Sequence, residues 1–214
     1  GQEQTLWLTT NGYGLATFDM VTKKFTSYNS PVTNNPNGIM GTTYGMYADG
    51  KKGLWIGSSS GLHRYDYSKQ IFKVIDISSI EKGTALLPVS NMAIQRNEND
   101  KDEILWFYIP YRGGYLYDFT LQKIKPLPLK AARYFNMPAE VLCFYIDAKN
   151  ILWISTSGEG LTGYDIGNDA IVFKAKKPFG ETGRWVWSFF EDRDHRLWVG
   201  SFNGLYVMDS SRSK

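Results

Sequence analysis

The sequence predicts an all-β fold, a β-propeller of about five four-stranded antiparallel blades in which the first and last blades are incomplete. Three observations predict it: a Leu-Trp pair that recurs along the chain, the distance between the pairs, and a glycine and an aspartate that follow each pair. The chain has 214 residues, of which 43% are hydrophobic and 15% aromatic. It is therefore large and apolar enough to bury a core.

The Leu-Trp pair takes five of the seven tryptophans in the chain. Subtraction of their positions gives intervals of 48, 51, 47 and 45 residues between successive tryptophans. One four-stranded propeller blade needs roughly 40 to 50 residues, so each interval fits one blade. We expect the indoles to be wedged between blades as part of the core. The pairs are Leu6-Trp7, Leu54-Trp55, Leu105-Trp106, Leu152-Trp153 and Leu197-Trp198.

A second marker follows every pair in the same register. An aspartate stands eleven or twelve residues after each tryptophan, and a glycine stands five residues before that aspartate. Glycine suits a tight turn between two strands because it takes positive φ freely. We expect the aspartates to accept hydrogen bonds from backbone N–H groups at hairpin ends rather than to bind metal. The two sets are Gly14, Gly61, Gly113, Gly160 and Gly204, and Asp19, Asp66, Asp118, Asp165 and Asp209.

The repeats predict one propeller domain over residues 1–214. Their approximate bounds are 5–40, 41–86, 87–138, 139–182 and 183–214. The first repeat begins at Leu6-Trp7 without an inner strand before it, and the last stops near Asp209 without an outer strand. We therefore expect an open or imperfectly closed arrangement that is completed by additional repeats or by self-association with another copy.

Several function classes are disfavoured by composition. Lys and Arg number 24 against 21 Asp and Glu, and they are scattered, so we expect no nucleic-acid partner. No apolar stretch approaches the roughly 18 residues of a membrane span, so we expect no direct membrane insertion. Cys143 lies in an apolar run and is expected to be a buried, inert thiol. His63 and His195 fall in different repeats. We expect no catalytic residues, no metal and no cofactor.

The repeat consensus resembles the regulator-propeller repeats in extracytoplasmic sensor regions of two-component systems, especially the hybrid sensors of gut Bacteroidetes. The segments that carry this resemblance are 54–58 with Gly61-Leu62 and Tyr65-Asp66, and 191–201 with Gly204-Leu205. The third repeat departs from the consensus at 107–110. The resemblance implies a sensor module with a periplasmic or extracellular location. Larger relatives of that kind join such propellers to a histidine kinase and a DNA-binding regulator, and respond to glycan breakdown products.

Propellers usually bind ligands at the end that carries the loops between strands two and three and the loops before each first strand. In this chain those loops combine aromatic side chains with Arg, Glu and Asn, which suits an oligosaccharide ligand. Trp185 has an alternative role as a hydrophobic staple at a strand start. Tyr111 and Arg112 have an alternative role in packing between blades with a surface salt bridge. The candidate ligand-binding residues are Tyr13, Tyr111, Arg112, Glu159, Arg184, Trp185 and Asn203.

Together these observations predict a non-catalytic, extracytoplasmic ligand-sensing or interaction module of a two-component-type regulator, with a carbohydrate as the favoured ligand. Two other classes stay open. A protein-interaction scaffold would bind a partner protein and no small molecule. A propeller lyase or hydrolase would need a convergent cluster of His, Tyr or carboxylate groups with perturbed pKa values, which a chain with two histidines hardly offers.

Overall fold

The computed structural model describes residues 4–28, 38–49, 53–80, 87–96, 104–127, 132, 140–176 and 185–212. The described residues form eighteen strands in chain order. These are β1 (Thr5–Thr9), β2 (Leu15–Asp19), β3 (Phe25–Ser27), β4 (Thr43–Ala48), β5 (Gly53–Ser58), β6 (Gly61–Asp66), β7 (Ile71–Val74), β8 (Asn91–Gln95), β9 (Ile104–Ile109), β10 (Gly113–Asp118), β11 (Lys123–Pro126), β12 (Val141–Ile146), β13 (Ile151–Thr156), β14 (Gly160–Asp165), β15 (Ala170–Ala175), β16 (Val186–Glu191), β17 (Leu197–Ser201) and β18 (Gly204–Met208).

The strands form five sheets, called blades 1 to 5 here in chain order, and within each sheet consecutive strands are neighbours. Blades 2, 3 and 4 have four strands, β4–β7, β8–β11 and β12–β15. Blades 1 and 5 have three described strands, β1–β3 and β16–β18. The predicted fold class, an all-β propeller with incomplete first and last blades, is confirmed.

The chain divides into two compact units, Gly1–Met92 and Ala93–Lys214, called units 1 and 2 here. Unit 1 contains blades 1 and 2. Unit 2 contains blades 4 and 5 and strands β9, β10 and β11 of blade 3. Each unit has its own hydrophobic core, in which side chains of neighbouring blades pack together.

The recurring aspartates close the hairpin between the third and fourth strands, as the sequence predicts. In blade 1, Asp19 Oδ1 accepts the N–H of Val21 at 2.9 Å and that of Thr22 at 2.8 Å. These donors favour the charged carboxylate, and the bond from Thr22 is the main reason that the pKa of Asp19 lies below its usual value. Equivalent bonds are made by Asp66, Asp118, Asp165 and, in the turn after β18, Asp209.

The Leu-Trp pair contributes to the packing between neighbouring blades within each unit. Successive residues of a strand point to opposite faces of the sheet, so the leucine and the tryptophan serve different interfaces. In every interface for which a core cluster is described, the tryptophan of one blade shares a cluster with the leucine of the next blade. We call such an interface a seam. The pairs that meet are Trp7 with Leu54, Trp106 with Leu152, and Trp153 with Leu197.

Four of the five repeated indoles have a described polar partner, which the sequence analysis did not predict. The indole N–H donates to a carboxylate that precedes the tryptophan by six residues, at the end of the first strand. This bond lets a large aromatic group be buried without losing its donor. The pairs are Trp55 with Asp49 at 3.3 Å, Trp153 with Asp147 at 2.9 Å, and Trp198 with Asp192 at 2.8 Å; in blade 3, Trp106 donates to Gln95 at 3.0 Å.

An arginine neutralises each of these three carboxylates. Arg64 lies 2.6 Å from Asp49, Arg196 lies 2.8 Å from Asp192, and Arg212 lies 2.9 Å from Asp147. The three arginines come from different places in the chain: β6, the first hairpin of blade 5, and the end of the described chain. The carboxylate-indole contact therefore recurs at one repeat position, whereas the arginine that neutralises the carboxylate comes from a different position each time.

Candidate functional site

A recurring backbone hydrogen bond builds the loop end of the blades, where the predicted ligand-binding residues lie. The N–H donor lies in the turn between the second and third strands. The carbonyl acceptor belongs to the residue immediately before the first strand. This bond sets the two loops of one blade side by side. The bonds are Ser59 to Thr42 at 2.9 Å, Ser157 to Glu140 at 2.9 Å, and Phe202 to Trp185 at 3.0 Å.

In unit 1, the loop that carries Tyr13 is tied to the neighbouring blade. Gly14 N donates to Gly41 O at 2.7 Å, and Tyr13 and Gly41 form a parallel bridge. Thr42 Oγ1 accepts the N–H of Gly12 and donates to Asn11 Oδ1 at 3.0 Å. The Tyr13 side chain is nevertheless exposed, so it is held in place while its ring faces solvent.

Tyr111 and Arg112 lie in the turn between β9 and β10. Tyr111 has a φ of 63°, a left-handed conformation that is rare for a bulky residue, and its side chain is 94% exposed. The turn is fixed by Arg112 N, which donates to Ile109 O at 3.0 Å, and by Tyr115 Oη, which donates to Arg112 O at 3.2 Å. The alternative in which the Tyr111 ring packs between blades is wrong, because the ring is exposed.

Glu159 occupies the equivalent turn of blade 4. Its N–H donates to Thr156 Oγ1 at 3.0 Å, which fixes the backbone of the turn. Its carboxylate lies 3.1 Å from Lys174 Nζ, and both side chains are partly exposed. A carboxylate in such a solvated ion pair keeps acceptor capacity for a further donor.

Trp185 and Asn203 belong to one loop pair in blade 5. Trp185 stands immediately before β16, and its ring lies edge-on to Phe202 with 5.9 Å between centroids. Asn203 Oδ1 accepts the hydroxyl of Ser201 at 2.7 Å. Arg184, the remaining predicted residue, lies outside the described residues. The structure thus brings Trp185 and Asn203 to one loop pair and places Tyr13, Tyr111, Arg112 and Glu159 at the corresponding turns of their own blades.

Exposed apolar side chains at the same loop end were missed by the sequence analysis. Phe202 is exposed beside Trp185, and Met40 is exposed beside the bridge at Gly41. Phe202 could have been found, because an aromatic residue in a two-residue turn has no strand neighbour to cover it. Met40 gave no such signal, because the length of its loop hides its place in the repeat.

His63 is the one described histidine that is buried, and it lies in β6. Its Nε2 is 3.0 Å from Ser58 Oγ and 3.2 Å from Ser60 Oγ, while its Nδ1 is buried without a hydrogen-bond partner among the described residues. Burial lowers the pKa of His63 to about 4. Ser58 is itself fully buried, so this Ser-His contact does not present a nucleophile to a substrate.

We expect His63 to make the protein less stable as the pH falls from 6.5 to 4. The unfolded histidine takes up a proton near pH 6.5 and the folded one only near pH 4, so the unfolded state binds more protons in this window. The loss amounts to about 3 kcal/mol over the window, and above pH 6.5 the residue contributes no pH dependence. Urea unfolding at pH 7, 5.5 and 4.5 measures it.

In this experiment His63→Gln should lose less stability than the wild type between pH 7 and 4.5. His195→Gln is the control for the type of substitution, because it makes the same exchange at an exposed histidine. Equal pH dependence in the wild type and His63→Gln would contradict the assignment.

The described part of the chain holds neither a metal-ligand cluster nor a long apolar helix. Within the described ranges, no group of three or more His, Cys, Asp or Glu side chains could hold a metal ion. In those ranges there is also no helix of the length and apolar character that crossing a bilayer requires. Cys143 is buried, as predicted, and its burial raises the pKa of the thiol well above the usual value.

Small antiparallel sheets stacked through a repeated tryptophan define a β-propeller protein. Residues 180–203 match the family model described as the two component regulator propeller. The matched segment includes Trp185, Phe202 and Asn203 of the blade 5 loop end. The resemblance inferred from the sequence is thereby confirmed, and the chain carries a repeat of the two-component regulator propeller family. No curated protein matches the chain.

Solved structures support the same fold. The chain is similar to the extracellular domain of the putative hybrid two component system BT3049 from B. thetaiotaomicron, with 17% identity and a TM-score of 0.69 over 98% of this chain and 26% of that one. It is similar to the extracellular domain of BT4673 from the same organism, with 22% identity and a TM-score of 0.68 over 97% of this chain and 26% of that one. The chain thus spans about a quarter of the length of these structures.

A third similar structure belongs to a protein with a different role. PorZ, named as an essential bacterial surface component of the type-IX secretion system of Porphyromonas gingivalis, shares 13% identity and a TM-score of 0.57 over 97% of this chain and 31% of that one. One fold therefore serves unlike proteins, so function has to be argued from the loop end rather than from the blades.

Proposed function

We propose that this chain is a non-catalytic, extracytoplasmic ligand-sensing module of a two-component-type regulator, and that its ligand is a carbohydrate. The observation that carries the proposal is the loop end of the blades, where backbone hydrogen bonds pair the loops of blades 2, 4 and 5 and the rings of Tyr111 and Phe202 are exposed. The family match to 180–203 covers one such loop pair. The similar extracellular domains support the sensory role and the location outside the cytoplasm.

The chemistry of the unit 2 loop end suits a saccharide. A sugar ring presents a flat C–H face that packs on an aromatic ring, and Tyr111 offers such a ring in full exposure. Sugar hydroxyls need directional donors and acceptors, which Arg112, Glu159 and Asn203 supply. A saccharide carboxylate would pair with a guanidinium through two parallel hydrogen bonds, which makes Arg112 the group that selects an acidic sugar.

Backbone strain at Tyr111 supports the same assignment. A bulky residue with positive φ costs free energy, of order 1 kcal/mol or more, and such residues cluster at functional sites. The other described non-glycine residues with positive φ are polar or charged. Tyr111 combines a strained backbone with an almost fully exposed ring, so packing of the ring does not offset the strain. Contact with a ligand accounts for this combination best.

Thermal-shift measurements against neutral and acidic oligosaccharides test the proposal. A ligand that binds only the folded state at 100 times its Kd should add about 2.7 kcal/mol to the free energy of unfolding and raise Tm accordingly. For any saccharide that binds, we expect Arg112→Ala to raise Kd about tenfold or more, because a hydrogen bond to a charged group contributes roughly 1.5–3 kcal/mol.

The matched control is Lys123→Ala. Lys123 is exposed in the same blade at the start of β11, at the opposite end of β10 from the Tyr111 turn, so its loss should leave Kd unchanged. Trp185→Ala separates the two roles of that residue. A higher Kd supports a binding role, whereas a lower Tm with unchanged Kd supports the staple role. Absence of any saccharide shift would reject the carbohydrate ligand and favour the scaffold alternative.

A further inference from the structure

The last strand of blade 4 differs from the last strands of blades 1, 2 and 3, and we call these four the outer strands. β15 has six residues, whereas β3, β7 and β11 have three or four. β11 also carries two lysines and a proline, which are residues that natural proteins use to block pairing at a sheet edge. β15 is otherwise apolar and has one charged residue, Lys174. Among the described outer strands, β15 therefore has the edge that is best suited to pair with another strand.

β15 is firmly attached to its own sheet on one side. Among the described strands it pairs with β14 alone, and that pairing is regular apart from a bulge at Val172. Phe173 packs on the buried Trp153, with 5.5 Å between the ring centroids, so the strand is anchored to the core. Ile171 and Val172 are about half exposed. An anchored strand of this kind presents its backbone N–H and C=O groups in a fixed row to a further strand.

The two ends of β15 carry opposite charges. Asp165 and Asp169 belong to the hairpin that precedes the strand, whereas Lys174 and Lys176 lie at its other end. Lys174 is 3.1 Å from Glu159, and Lys176 is exposed immediately after the strand. If two β15 strands pair antiparallel, the acidic end of each copy lies beside the basic end of the other. A parallel pair would bring like charges together, so the charges favour the antiparallel arrangement.

We propose that two copies of this chain associate through β15, whose edges pair antiparallel and join the two four-stranded sheets of blade 4 into one. A second copy supplies the complementary order of charges by symmetry, which is the reason to choose it over a segment of another protein. The contact is isologous, because the same strand serves both copies, so it closes at a dimer. It is confined to one strand and its flanking charges, so we expect a Kd that is roughly micromolar or weaker.

Sedimentation velocity from low to high micromolar concentration tests the association. We expect the wild-type chain to pass from the 24.4 kDa monomer toward twice that mass as the concentration rises. Ile171→Lys/Val172→Lys places charges on the edge, as natural edge strands do, and should sediment as a monomer. The matched control is Ile71→Lys/Val74→Lys, which makes the same exchanges at similarly exposed residues of the outer strand β7 and should associate like the wild type.

Reversal of one charge tests the orientation of the two strands. Lys176→Glu places an acidic side chain beside the acidic end of the other copy, so the Kd for association should rise several-fold. Lys73→Glu makes the same change in β7 and should leave this Kd unchanged. An unchanged or lower Kd for Lys176→Glu contradicts the antiparallel arrangement.

Amide hydrogen exchange identifies the strand that forms the contact. The N–H groups of β15 should exchange more slowly at high than at low protein concentration, whereas those of β7 and β11 should exchange equally at both. Dimerisation without added protection in β15 overturns the proposal. A wild-type chain that is monomeric at every concentration also overturns it and leaves the edge to an extended segment of another protein. Equal Tm values for the variants and the wild type at low concentration establish that the substitutions act on association rather than on folding.

Discussion

Trp153→Ala is expected to lower the free energy of unfolding by about 3–5 kcal/mol. The indole is fully buried in the seam between blades 4 and 5, beside the ring of Phe173 at 5.5 Å. Gly163 stands opposite it in β14, and a Cβ there would lie 3.1 Å from the indole, so the ring fills the space completely. The deletion leaves a cavity and removes the donor to Asp147. Chemical denaturation followed by far-UV circular dichroism measures the loss.

Two companion variants separate the reasons for this loss. Trp198→Ala removes an indole at the same repeat position that is only partly buried, so it should cost clearly less. Trp153→Phe keeps an aromatic ring and removes the N–H donor, so its cost should fall between those of the wild type and Trp153→Ala. Equal losses for Trp153→Ala and Trp198→Ala would contradict the view that the seam, rather than the blade itself, is what the tryptophan stabilises.

The fold could be predicted from the sequence because its main determinants are local and repeated. The intervals between Leu-Trp pairs predict the number and spacing of the blades. The Gly and Asp markers predict the third strand of each blade and the hairpin that follows it. The side of the sheet to which each residue of the pair points follows from strand geometry alone. The expected burial holds in full for Trp55, Trp106 and Trp153, whereas Trp7 and Trp198, in the first and last blades, are only partly buried.

The polar partners of the tryptophans could be predicted only in part from the sequence. An aspartate stands six residues before four of the five Leu-Trp tryptophans, yet a hairpin aspartate serves equally well as a turn residue, so its bond to the indole could not be inferred. At the loop end, sequence predicted which turns carry the candidate residues. It could not predict that Tyr111 would be exposed and strained or that Trp185 would pack on Phe202, because both depend on how each loop closes.

The contacts of Arg212 could not be predicted from the repeats. It is far from its partner Asp147 in the chain and follows the last repeat, so no periodic pattern points to it. Its guanidinium lies 2.9 Å from Asp147 in blade 4 and 2.9 Å from Glu191 in blade 5, and all three side chains are at least nine-tenths buried. One cation therefore neutralises two buried carboxylates from neighbouring blades.

Arg212→Met is expected to destabilise unit 2 by about 3–5 kcal/mol, because it leaves Asp147 and Glu191 buried without a counter-charge while keeping a similar apolar volume. Denaturant unfolding measures the change, and hydrogen exchange in β13 and β17 locates it. Arg212→Lys keeps the charge but not the fork that reaches both carboxylates, so it should recover only part of the loss.

The matched surface control for this prediction is Arg196→Met. Arg196 pairs with Asp192 and Asp194, but its side chain is about half exposed, so water can replace it and the effect on stability should be much smaller. If Arg212→Met and Arg196→Met cost the same, the buried pairing across the seam contributes no more than a surface ion pair. The stability of the last seam would then come from Trp153 and its apolar neighbours alone.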